Sequence, residues 1–242
     1  MKRVYHKWWS PHLGRDMELL VFGHGGSKML IFPTRLHRFY EYENMGMVEV
    51  LRPRLERGEL ELCCVDSVDA ESLYASHLTP PQRLTRHLAF EAYVLHEVIP
   101  LMRGQYSTVE LTAHGCSLGA FHAVNLVLRY PHLFRRAIAF SGRYDLTLSV
   151  DHFSDLFDGY RDETVFENTP TRFLSSANCE RLRHHWSRLD IQLAIGDLDP
   201  FRKNTEELDR ALTEQRIPHR VSYWNGRAHE PAAWREMAAR LL

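Results

Sequence analysis

The chain has 242 residues, 44% of them hydrophobic and 25% charged, with a formal net charge of −1. That size can bury a full core without disulfide staples, and the balanced charge excludes the clustered basic excess of a nucleic-acid binder. No apolar run approaches a membrane span, and the basic N-terminus "MKRVYHKWWS" lacks the apolar stretch of a signal peptide, so a cytoplasmic protein with neither membrane nor nucleic-acid partner is expected.

In chain order, "RVYHKWWSPHLGRDMELLVFG" predicts two strands joined through Pro11–Gly14, and "MLIFPT" a short buried strand ending at a proline loop. The "GHGGS" stretch between them, residues 23–27, reads as a hairpin turn with Gly25-Gly26 at the reversal. Met47, Val48, Leu51 and Leu55 recur at helical spacing before Gly58, and "ELCCVD" is the next buried strand, with Cys63 and Cys64 on opposite faces. Leu84, Leu88, Leu95, Ile99 and Met102 mark a long helix closed by Gly104. "TVELTAHG" is a strand, followed by the helical stripe Ala120, Phe121, Val124, Val127 and Leu128. Strands "RAIAFSG", "DIQLAIGD" and "HRVSYWNG" follow. A helix carrying Leu208, Ala211 and Leu212 separates the last two, and one striped by Trp234, Met237, Ala238 and Leu241 ends the chain.

Strands alternating with helices from residue 29 onward imply an α/β fold: a mostly parallel twisted sheet with helices on both faces, in one domain spanning 1–242. Residues 146–187 mix aromatic, acidic and basic side chains without a strand, and suggest a small cap-like insertion over the sheet's C-terminal edge, where ligands of such sheets bind. The four cysteines are too few and scattered for a disulfide framework. With no C-x-x-C or H-E-x-x-H spacing, no metal or other cofactor is expected.

Gly115-Cys116-Ser117-Leu118-Gly119 matches G-x-S-x-G between a predicted strand and a predicted helix. A residue on that sharp turn is held in a strained conformation that lifts its side chain above the sheet and aims the next backbone N–H at an anion forming there. Ser117 occupies the apex, so it is the expected nucleophile; Cys116 should point into the core. A serine hydroxyl needs a base, and the base needs an orienting acid. In this kind of fold the order is serine, acid, histidine. "DIQLAIG" ends at Asp197-Leu198-Asp199-Pro200 and "HRVSYWNG" at Arg227-Ala228-His229-Glu230, both on the edge that carries Ser117. His229 is the expected base, since His219 falls at the far end of its strand. Asp199 is preferred as acid over Asp197, because it directly precedes a helix-opening proline. The amide of Leu118 is one expected oxyanion donor, and one near Thr34 or Arg35, after "MLIFPT", the second. Loops on the same edge offer Tyr40, Asp66, Tyr144 and Trp224 as pocket residues, a mixed aromatic and polar set suited to a small soluble ester.

"GCSLGAFHAVNLVLRYPHLF", "AFSGRYDL", "IGDLDPF" and "GRAHEPAAWREM" together make the chain resemble the α/β-hydrolase superfamily, in its branch of esterase D-like and feruloyl-esterase-like proteins. The resemblance runs from "MELLVFG" to the C-terminus. It implies Ser117 as nucleophile, Asp199 as acid, His229 as base and the amides of Leu118 and Arg35 as oxyanion donors. "FPTRLHRF" stands where many relatives have a His-Gly dipeptide. A thioesterase, amidase or acyltransferase would use the same residues, and a non-catalytic binding protein would often lack one of the three.

Overall fold

The computed structural model describes residues 1–104 and 110–242; Thr108 and Val109 of the predicted strand "TVELTAHG" lie outside them. Among the described residues, eight strands form one sheet: β1 (Arg3–Ser10), β2 (Arg15–Phe22), β3 (Ser27–Phe32), β4 (Leu60–Val65), β5 (Leu111–Cys116), β6 (Phe134–Phe140), β7 (Asp190–Gly196) and β8 (His219–Trp224), in spatial order β1-β2-β4-β3-β5-β6-β7-β8. β2 is antiparallel to both β1 and β4, and all pairs from β4 through β8 are parallel. Residues 29–32, 137–140 and 191–196 are buried without interruption, as strands covered on both faces must be.

The predicted helical stripes fill those two faces. Met47, Val48, Leu51 and Leu55 of helix Met47–Glu56 join Trp234, Met237 and Ala238 of helix Pro231–Leu241 on one side. Phe90 and Tyr93 of helix Pro80–Tyr93, Ala123, Val124 and Val127 of helix Leu118–Arg129, and Leu208 and Leu212 of helix Arg202–Glu214 fill the other. Cys63 and Cys64 fall in opposite layers, as alternation along a strand requires. The helix from Pro80 runs on through a π turn at Val94–Val98 into Ile99–Arg103 before Gly104 ends it.

The hairpin expected at 23–27 does not form. β3 pairs with β4 and β5, and β4 lies between β2 and β3. Instead of closing back on β2, Ser27 donates its amide to the Glu59 carbonyl, 3.0 Å away, at the entry to β4. Two antiparallel strands separated by a short glycine loop look like a hairpin in sequence; here a later strand fills the gap between them.

Segment 146–187 divides in two. Leu146, Leu156, Phe157 and Val165 pack with Leu73, Leu84, Leu118 and Phe121 beside the start of the helix that follows β5. Phe173, Leu174 and Trp186 instead enter the main core, where the Trp186 indole donates to the Leu128 carbonyl at 2.9 Å.

Candidate active site

Register places the important loops side by side. Phe32 of β3 is level with Gly115 of β5, Cys116 with Phe140 of β6, Phe140 with Ala194 of β7, and Gly196 with Trp224 of β8. The chain therefore leaves β3, β5, β6, β7 and β8 at one edge.

At that edge β5 turns directly into helix Leu118–Arg129 with Ser117 at φ 54°, ψ −118°. A non-glycine residue held there stores on the order of 1–3 kcal/mol. The turn is tight enough that a Cβ on Gly115 would stand 2.3 Å from the Gly119 carbonyl carbon, and one on Gly119 would stand 2.4 Å from the Phe32 carbonyl oxygen. The glycines of the pentapeptide thus have separate roles: one lets the elbow close on itself, the other lets the helix start against the end of β3. Cys116 is buried in the core, where desolvation pushes its thiol well above the usual range, and it takes no part at the surface.

His229 stands in the loop after β8. Its Nδ1 lies 2.8 Å from Asp199 Oδ2 and its Nε2 3.0 Å from Ser117 Oγ. A carboxylate only accepts, so Nδ1 carries the proton and Nε2 faces the serine as an acceptor. Asp199 is buried, and its other oxygen accepts the Phe201 amide at 2.9 Å. Asp197 serves the loops instead. Its Oδ1 accepts the Gly226 amide at 2.7 Å, tying the β7 loop to the loop that carries the histidine. Beyond this tie, the Ala228 carbonyl accepts from Ser141 Oγ at 2.9 Å, and the same hydroxyl accepts the Trp234 indole N–H at 3.0 Å. The imidazole is thus fixed from behind as well as at both nitrogens.

The loop after β3 passes over the start of the elbow helix, held by three buried carboxylates. Glu41 accepts the Thr34 amide at 2.7 Å and the Thr34 hydroxyl. Asp69 accepts the Leu36 amide at 3.2 Å. Asp66 accepts the Phe39 amide at 3.3 Å and forms a two-pronged ion pair with Arg38. The His37 amide closes on the Thr34 carbonyl. Arg35 is left between them with an amide that donates to nothing among the described residues, and the Leu118 amide is likewise free. Both residues line a cavity of about 220 Å³ together with Ser117 and His229. Two unspent N–H groups beside a serine hydroxyl can stabilise negative charge developing on a carbonyl oxygen.

Comparison with known proteins fits this construction. The sequence profile of the family described as "Putative esterase" matches residues 44–238. The chain belongs to this esterase family. No curated protein matches its sequence. Among solved structures, a ferulic acid esterase superposes with a TM-score of 0.75 at 17% identity, covering 100% of this chain and 96% of the other. An S-formylglutathione hydrolase from Agrobacterium tumefaciens gives 0.75 at 15% identity, covering 98% and 92%. The enterobactin esterase of Shigella flexneri gives 0.68 at 19% identity, covering 99% of this chain and 58% of that one. At such identities the likeness establishes the fold, which is that of the α/β-hydrolases. Among the described residues of this esterase family member, no helix is long and apolar enough to cross a membrane.

The four pocket residues expected from sequence do not line the cavity. Asp66 is buried under Arg38 and serves the β3 loop from below. Tyr144 is sealed in the core; its amide and that of Asp145 both donate to Asn204, and burial pushes its hydroxyl pKa upward. Tyr40 is exposed and leans edge-on against Phe39. Trp224 lies beneath the Arg240 guanidinium in a neighbouring surface depression, on the outer side of the His229 loop. The cavity walls are instead Tyr74, Phe153, Phe201 and Trp234, with Arg35, His37 and Arg143 between them. Phe201 had a local signal, because it follows Asp199-Pro200 and its amide binds that aspartate. Tyr74 and Phe153 had none: they come from irregular segments whose side-chain direction only tertiary contacts decide.

Proposed function

We propose that this protein is a serine esterase that cleaves a carboxylic ester of a small substrate through an acyl-enzyme. The observation that carries the reading is the unbroken hydrogen-bonded chain from Ser117 Oγ through His229 to buried Asp199, at the mouth of the cavity onto which Arg35 and Leu118 face. His229 Nε2 takes the serine proton as Oγ attacks the ester carbonyl, and Asp199 holds the imidazole in the required tautomer and stabilises it once charged. The amides of Leu118 and Arg35 bind the tetrahedral oxyanion, a contribution of roughly 3–4 kcal/mol for each such donor. The histidine then protonates the leaving alcohol, activates a water, and the acid departs. The cavity is smaller than the ~300–1,000 Å³ usual for drug-sized ligands, which favours a compact ester over a long acyl chain.

Hydrolysis of a small activated ester tests the reading with three variants. Ser117→Ala is expected to lower kcat by a factor on the order of 10⁵–10⁶ while the protein stays folded. Asp199→Asn is expected to lose roughly 10⁴-fold, because the amide no longer enforces the Nδ1–H tautomer. Asp197→Asn keeps an oxygen that accepts from Gly226 and is expected to stay within about threefold. Turnover retained in folded Ser117→Ala, or a larger loss at Asp197 than at Asp199, would refute the assignment.

A further inference from the structure

Arg143 follows β6 and is almost fully buried, with 4% of its surface exposed. Its Nη2 donates to the carbonyls of Leu146, Leu148 and Ser154 at 3.1, 2.5 and 2.6 Å, holding the start of the following segment. Those bonds explain one nitrogen. Nε is buried without an acceptor, and Nη1 makes no hydrogen bond among the described residues. No carboxylate among the described residues forms an ion pair with it. Asp145 is spent on Thr147, and Asp155 on the Phe157 and Gly159 amides and on Arg161. A guanidinium stripped of water, with Asp145 and Asp155 acting on it only from a distance, is costly, and an uncharged donor could tie the same carbonyls.

The side chain lies where a substrate would be. Arg143 lines the cavity with Ser117 and His229, its guanidinium 5.7 Å from the centre of the Phe201 ring. A second cation lines the same cavity: Arg35 lies 5.7 Å from both the Tyr74 and Phe153 ring centres, with no ion-pair partner among the described residues. Both arginine charges oppose the upward push of burial on the Tyr74 hydroxyl; burial pushes the Arg143 pKa downward, against Tyr74, Asp145 and Asp155, and Arg35 adds a smaller push the same way. No aspartate or glutamate among the described residues lines the cavity.

We propose that Arg143, assisted by Arg35, forms an anion subsite, so that the preferred substrate is a small ester carrying a carboxylate-type negative charge near the scissile bond. This rests on the esterase reading above. The bound anion supplies the contacting counter-charge that Arg143 lacks in the protein, and a carboxylate oxygen accepts from the unused Nη1. The aromatic walls lower the polarity beside the pair and strengthen it.

Two matched pairs of esters test it on the whole chain. 4-Nitrophenyl hexanoate against the 4-nitrophenyl monoester of adipic acid places the charge on the acyl side; methyl 4-acetoxybenzoate against 4-acetoxybenzoate places it on the alcohol side. In at least one pair kcat/KM should favour the anion by tenfold or more, and the pair that shows it identifies the side. Arg143→Gln should bring that ratio to within about twofold, whereas Arg143→Lys should keep part of it. If Arg143 only braced the loop, its loss would lower both members alike and leave the ratio standing, overturning the proposal. Should Arg143→Gln fail to fold, calorimetric titration of Ser117→Ala decides, with tenfold tighter binding of monomethyl adipate than of dimethyl adipate expected. Equal hydrolysis within both pairs overturns the anion subsite and leaves the esterase reading intact. No hydrolysis of any ester, with monomethyl adipate still preferred by Ser117→Ala, overturns the esterase reading and supports the subsite. No hydrolysis and no preference overturns both.

Discussion

The loop after β5 and the loop after β3 meet at the same serine, yet they are held by different forces. The first is shaped by its own backbone: five consecutive residues, two glycines, and a strained Ser117 whose position follows from the lack of side chains around it. The second has no such local logic. Its path from Thr34 to Phe39 is fixed by Glu41, Asp66 and Asp69, two of them more than twenty-five residues away in sequence. The proposed nucleophile is thus specified by a contiguous motif, whereas the proposed second oxyanion donor is specified by elimination, since the amides of Thr34 and Leu36 on either side are already taken. One function is encoded in shape and the other in buried charge, so the two should fail differently.

Breaking the shape should have the larger effect. Gly119→Ala would place a methyl 2.4 Å from the Phe32 carbonyl and 2.7 Å from that of Pro33, and both are backbone atoms that cannot swing aside. The elbow and the β3 loop must separate, at a cost of about 1–3 kcal/mol or more in stability. A displacement near 1 Å at the reacting groups is expected to lower kcat by roughly 100-fold or more. Near-normal kcat in this variant would mean that the close approach is not what positions the loop.

Breaking the charge should be milder. Glu41→Gln leaves one oxygen for two Thr34 donors and turns an NH₂ toward one of them, so the loop loses one bond of about 1–3 kcal/mol. A fall in kcat of about tenfold with little change in KM is expected, because an oxyanion donor acts on the transition state more than on bound substrate. An equal rise in KM with kcat unchanged would show that the loop shapes the cavity and not the donor.

The last effect bears on stability and not on turnover, and it concerns the strand beneath the elbow. His114 of β5 is fully buried between the Tyr42 and Phe140 rings; its Nδ1–H donates to the Ile138 carbonyl at 2.7 Å and its Nε2 has no partner among the described residues. Burial lowers its pKa to about 4, and burial likewise holds His87 well below the usual range. Both pKa values are depressed relative to an unfolded value near 6.5, so between pH 6.5 and 4 the unfolded chain binds protons that the folded one refuses. Stability is therefore full above about pH 6.5 and falls as acid is added, by up to about 1.4 kcal/mol per pH unit for each histidine. Urea midpoints at pH 7.5, 6 and 5 should fall in that order; a constant midpoint would contradict the buried neutral state.

The same contrast accounts for what could be read from sequence. The elbow was legible because its signal is contiguous, and the faces of the long helices because their stripes are periodic. His229 and Asp199 were singled out by chain order and by their places just past strand ends, and those loops bring them together. The misplaced residues all needed information from far along the chain. Asp66 looked like a pocket residue until Arg38 claimed it, Tyr144 until the amides beside it were drawn to Asn204, and "GHGGS" like a hairpin until β4 entered between its arms. Arg143 stood next to Tyr144 in the same loop, and only the tertiary fold reveals which of the two faces the cavity.

The central claim is that Ser117 is activated by His229. Labelling the folded protein with a fluorophosphonate probe, followed by mass-spectrometric location of the adduct, tests it most directly, since only an activated serine reacts at a useful rate. One adduct on Ser117, lost in His229→Ala, is the expected result. An adduct elsewhere, or none on a protein shown to be folded, would contradict it.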